Sequence, residues 1–145
     1  MKSKLKLAER ESDIMAENKG VIYVATGDQY IEEACQSVAS LKSVMPDINV
    51  TLFASSKVKD SNFDQIIVLP DPSYSFKDKV EVLKESPYDQ TLFLDTDTYI
   101  CSNLIEIFDL LEKYDLALAV SPLGVGLKLN TVPDYFTEMN TGVIL

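Results

Sequence analysis

Histidine and tryptophan are absent from this 145-residue chain, cysteine occurs only twice, and Arg10 is the single arginine. Without histidine there is no Ser-His-Asp or Cys-His catalytic system, no imidazole general base and no histidine metal ligand. Two cysteines as the only soft ligands leave no tetrahedral zinc site. Basic residues are scarce as well, 13 against 23 acidic ones, for a formal net charge of −10. Nucleic acid and anionic membrane surfaces both need clustered Lys and Arg, so neither is expected as a partner. A phosphate ligand stays open if a metal ion, backbone amides or a few lysines neutralise it. No stretch approaches the roughly 18 apolar residues of a membrane span. The charged start of the chain does not read as a signal peptide, which makes the cytoplasm the expected location. In that setting Cys35 and Cys101, placed in a helix and at a strand end, are expected to be reduced and structural.

What is present is a globular composition, 46% hydrophobic and 25% charged, in a length that suits one domain. Residues 1–19 read as a polar tail or short helix, and residues 20–145 as one domain. VIYVAT (21–26) is apolar enough for a strand buried on both faces of a parallel sheet. Gly27 ends it, and Asp28 is a plausible cap for a helix in which Ile31, Ala34, Cys35, Val38 and Leu41 share one face. The alternation then recurs, with strands at 49–54, 65–70, 91–95, 115–120 and 141–145. Helices are expected at 76–86 and after Asn103, which with Glu106 is close to a capping box. Residues 121–139 read as irregular. The expected fold is α/β, a Rossmann-like, mainly parallel sheet flanked by helices. The chain stops on Leu145 inside a strand, so a fragment of a longer domain is expected. Its GVIL end leaves apolar surface that predicts self-association, most simply as a homodimer.

Ligands of open α/β sheets bind beyond the carboxyl ends of the strands. Two places there carry chemistry: Thr26-Gly27-Asp28-Gln29-Tyr30 after the first strand, and Asp95-Thr96-Asp97 after LFL. Two carboxylates at i and i+2 on an extended chain turn to one side and can share a hard cation, which also relieves the cost of placing them at a buried strand end. The glycine-rich phosphate motifs are absent, since Gly124-Val125-Gly126 lacks the third glycine and follows the wrong strand.

VIYVATGDQYIEEACQSVASLK, then Lys79 upstream of LFLDTDTYI, then MNTGVIL, resemble in order and spacing the GT-A nucleotide-sugar glycosyltransferases, most closely the glycogenin-like and galactinol-synthase-like family. The resemblance implies a glycosyltransferase that passes a sugar from a UDP-sugar donor to an acceptor it does not specify. It implies Val24, Thr26 and Tyr30 around the base, with Tyr30 stacked on uracil. Lys79 falls near the diphosphate or the sugar, Asp95 and Asp97 hold Mn²⁺ (or Mg²⁺), and Asn140 with Thr141 lies by the donor sugar. Gly27 stands where the family commonly has a polar Asn, and the family's further metal ligand, usually His, has no counterpart here. Two other classes share the sheet: a non-catalytic nucleotide-binding module, and a sugar nucleotidyltransferase. The latter usually carries a glycine-rich basic loop that TGDQY lacks.

Overall fold

The computed structural model describes residues 18–121 and 137–145. Apart from Asn18 and Lys19, the tail expected over 1–19 lies outside the described residues. So does most of 121–139, Gly124-Val125-Gly126 included. In chain order the elements are β1 (Lys19–Ala25), α1 (Asp28–Val44), β2 (Asn49–Ala54), β3 (Gln65–Val68), α2 (Phe76–Leu83), β4 (Gln90–Leu94), a 3₁₀ helix (Ile105–Glu112), β5 (Leu118–Val120) and β6 (Met139–Ile144). The strands join in one sheet of order β3-β2-β1-β4-β6-β5.

β3, β2, β1 and β4 run parallel, as their near-continuous apolar runs predict. The departure is β6, which pairs antiparallel with both β4 and β5. One face of the sheet, with Val21, Tyr23, Leu52 and Leu92, packs on Ala34, Val38 and Leu41 of α1 and on Phe108 of the 3₁₀ helix. The other face, with Ile22, Phe53 and Phe93, packs on Val82 of α2. Both sides of the central strands are therefore buried.

Two local expectations are corrected. Asp28 does not cap α1: Gly27 does, with φ 121° and ψ 148°, a region open essentially to glycine alone. Asp28 becomes the first helical residue, where a negative charge suits the helix dipole. After Asn103 the chain forms a 3₁₀ rather than an α-helix, starting from Leu104, while the Asn103 side chain accepts from the Ile105 N–H at 2.8 Å. Phe108 is fully buried in the core and Leu111, three residues on, packs against it, while Ile105 stays exposed.

Gly20 on β1 lies under the Tyr88 ring, whose hydroxyl hydrogen-bonds Thr51 on β2 at 2.8 Å. A Cβ at position 20 would collide with that ring. Gly20→Ala should therefore destabilise the fold by about 1–3 kcal/mol, the usual cost of overpacking. Urea denaturation checks this, and an unchanged midpoint would contradict the packing described.

Candidate functional site

Parallel pairing of β1 with β4 brings their carboxyl ends side by side. Because β6 is antiparallel to β4, its amino-terminal half reaches the same edge: Leu94 pairs with Val143, and the Asp95 N–H donates to the Gly142 carbonyl at 2.8 Å. A parallel strand would have carried Asn140 and Thr141 to the opposite edge. From the face of α2, the Lys79 ammonium lies 2.6 Å from Asp95 Oδ1, donates to the Thr141 carbonyl at 3.3 Å and stands 4.9 Å from the centre of the Phe93 ring. Lys79, Asp95, Asn140, Thr141 and Gly142 thus meet at one corner of the sheet.

The Asp-x-Asp segment is not extended. The Thr98 N–H and hydroxyl both donate to the Asp95 carbonyl, at 3.2 and 2.7 Å, closing a turn over 95–98. Strand alternation consequently does not orient the two carboxylates. Asp95 faces Lys79, Thr96 donates to Glu33 of α1 at 2.9 Å, and Asp97 is exposed.

The turn is pinned from below by a chain of hydroxyls: Tyr23 to Ser37 at 3.0 Å, Ser37 to Thr98 at 2.8 Å, Thr98 to the Asp95 carbonyl. A carbonyl can only accept, so Thr98 spends its proton there, Ser37 donates to Thr98, and Tyr23 donates to Ser37. Burial pushes the Tyr23 hydroxyl up to about 12, so it stays a donor even where an ordinary tyrosine would ionise. Ser40 adds a second tie, accepting from the Ile100 N–H at 2.9 Å.

Gly142 leaves a cradle. A Cβ there would stand 2.9 Å from Asn140 Oδ1 and 3.1 Å from Asp95 Oδ2, so only glycine keeps the space between those oxygens open. Asn140 Oδ1 itself accepts from the Gly142 N–H at 2.7 Å. Among the described residues no three His, Cys, Asp or Glu side chains come together as a metal-binding group. The oxygens brought together at the corner are those of Asp95 and the Asn140 amide, the hard type that Mn²⁺ and Mg²⁺ take, while no contact among the described residues draws the exposed Asp97 to them. The cation that Asp95 meets at that corner is the Lys79 ammonium.

Tyr30 projects from the first turn of α1, 51% exposed, with its ring edge against Gly27. Val24 is half-buried on the α2 face. Thr26 reaches Asp78, a residue the sequence reading passed over although Ser75-Phe76-Lys77-Asp78 has capping-box spacing. Asp78 is buried and closes that box with Ser75 at the start of α2, one residue before Lys79. It also accepts from the Ser73 N–H at 2.8 Å.

Of the two cysteines, both free, Cys101 is exposed rather than packed. Burial, aided by Asp60, pushes the Cys35 thiol up to about 11. Among the described residues no helix is long and apolar enough to cross a membrane.

No known family and no curated protein matches the chain. Solved structures do. The glycosyltransferase GlyE of Streptococcus pneumoniae TIGR4 superposes with a TM-score of 0.61 over 87% of this chain at 17% identity, and its apo form with 0.59 over 88% at 20%. The galactosyltransferase LgtC, solved with donor and acceptor sugar analogues, gives 0.58 over 86% at 17%. The fold is that of the GT-A glycosyltransferases. The chain spans 33% of the length of GlyE and 56% of that of LgtC.

Burial pushes the Asp78 carboxyl up, but hydrogen bonds from the Ser73 N–H and hydroxyl, the Thr26 hydroxyl and the Ser75 N–H outweigh it, and the group lies below the usual carboxylate range. A carboxyl lowered by folding contributes stability that is present above its unfolded pKa and lost as pH falls through its folded one. Urea midpoints should therefore begin to drop near about pH 5 and go on dropping below about pH 4, as the pH passes under the ordinary carboxylate range. Asp78→Asn, with no charge to lose there, should drop less; an equal drop would contradict this role of Asp78.

Proposed function

We propose that this chain is the donor-binding part of a metal-dependent glycosyltransferase of the glycogenin-like and galactinol-synthase-like kind, which takes a sugar from a UDP-sugar. The observation that carries the reading is the corner at the carboxyl edge, where Asp95, Lys79 and the Asn140-Thr141-Gly142 run converge. The GT-A fold supports it, and so does the lack of a phosphate-cradling glycine motif in the sequence, which leaves a phosphate ligand to be held through a metal.

In this reading Asp95 and Asp97 hold Mn²⁺ or Mg²⁺, with the Asn140 amide beside them. When bound, the cation supplies Lewis-acid stabilisation of the negative charge that develops on the β-phosphate as the sugar–phosphate bond breaks. Lys79, at the same corner as Asp95, would add a positive charge to that phosphate. The rigid turn over 95–98, fixed by Thr98 and Ser37, keeps the Asp95 backbone in place for that task. Tyr30 offers a half-exposed ring for the uracil, and Val24 and Thr26 flank it on β1 and its end.

Calorimetry tests the reading directly. UDP should bind more tightly in Mn²⁺ than in EDTA, and Asp97→Asn should erase that difference. Equal affinity in Mn²⁺ and EDTA would overturn it.

A further inference from the structure

Lys79 is held differently from the other well-buried lysine. Lys42, at the end of α1, is fixed by the Ile48 carbonyl at 2.7 Å and by Asp64 at 2.9 Å, a purely structural clamp between α1 and the start of β3. Lys79 has an equally enclosed side chain, 15% exposed, yet its carboxylate partner is Asp95, at the strand end where ligands of such sheets arrive. Its other contacts are one carbonyl at 3.3 Å and the face of Phe93. Neither competes for a charge. A lysine is a point charge on a flexible stem, able to pass from one anion to another nearby.

We propose that Lys79 is the resident counter-cation of this site: its ammonium occupies Asp95 in the free chain and moves onto a diphosphate when one arrives. This deepens the donor-site reading above and rests on it. A dication placed on Asp95 alone meets the ammonium a few ångströms away and is repelled by it. A dication arriving with a diphosphate does not, because the anion takes the ammonium from Asp95. Metal and diphosphate therefore bind with positive coupling, and by linkage each raises the affinity of the other by the same factor.

The test is Mn²⁺ binding by the free chain, read by calorimetry and by the electron paramagnetic resonance signal of unbound Mn²⁺. Lys79→Met and Lys79→Gln, checked for folding by circular dichroism, should each bind Mn²⁺ alone about tenfold more tightly than the natural chain, the scale of removing one nearby positive charge at a partly exposed site. Saturating UDP should raise Mn²⁺ affinity more in the natural chain than in either variant, after correction for Mn²⁺ held by UDP in solution. Variants that bind Mn²⁺ alone no more tightly overturn the counter-cation role, while Mn²⁺ binding with UDP by the natural chain leaves the donor site standing. Equal Mn²⁺ affinity of the natural chain with and without UDP overturns the role without recourse to variants. Absence of Mn²⁺ binding in every chain, UDP included, overturns both.

Discussion

Asp95 follows directly on the buried Leu92, Phe93 and Leu94 and sets a half-exposed carboxylate at the carboxyl edge of the sheet. The Lys79 ammonium at 2.6 Å answers that charge, and the surrounding structure serves to bring the two together. α2 must start where Lys79 can reach over Phe93, and the Ser75–Asp78 capping box, itself tied to β1 through Thr26, fixes that start. The Asp95 backbone must stay at the sheet edge, and it is held by Gly142 from one side and by Thr98 from the other. The pairing of charges, the cap and the turn form one mechanical unit at the carboxyl edge.

That unit also explains the residues that look least functional. Gly27 takes a backbone conformation that other residues resist, which lets β1 break sharply into α1 and leaves Tyr30 half exposed above the break. Gly142 is needed for space and not for conformation, since a side chain would fill the gap between Asn140 and Asp95. Tyr23, fully buried in the core, extends its influence to the edge through Ser37 and Thr98. The turn at the carboxyl edge thus rests on a ladder of hydroxyls that begins in the core.

The α/β alternation was legible because β1, β2 and β4 are short continuous apolar runs and α1 repeats its apolar residues on one face. The direction of β6 was not, since a strand of six residues carries no mark of parallel or antiparallel pairing; its partner decides. The Asp-x-Asp spacing pointed to the right strand end but suggested an extended chain. Hydrogen bonds from Thr98, three residues on, turn it instead. Lys79 and Asn140 came from a resemblance in order and spacing, and the ion pair and the Gly142 cradle give both a physical place. The helix start at Phe76 was legible, but the box of Ser75 and Asp78 that fixes it was not, because Asp stands where the usual capping box has Glu or Gln.

The claim at the centre is that this corner holds a divalent cation together with a nucleoside diphosphate. Diffraction from crystals soaked in Mn²⁺ and UDP, collected at the manganese absorption edge, measures it most directly. The account predicts an anomalous peak within coordination distance of the carboxylates of Asp95 and Asp97, in contact with the diphosphate. Bound UDP with no anomalous peak at that corner, or a peak elsewhere on the chain, would contradict it.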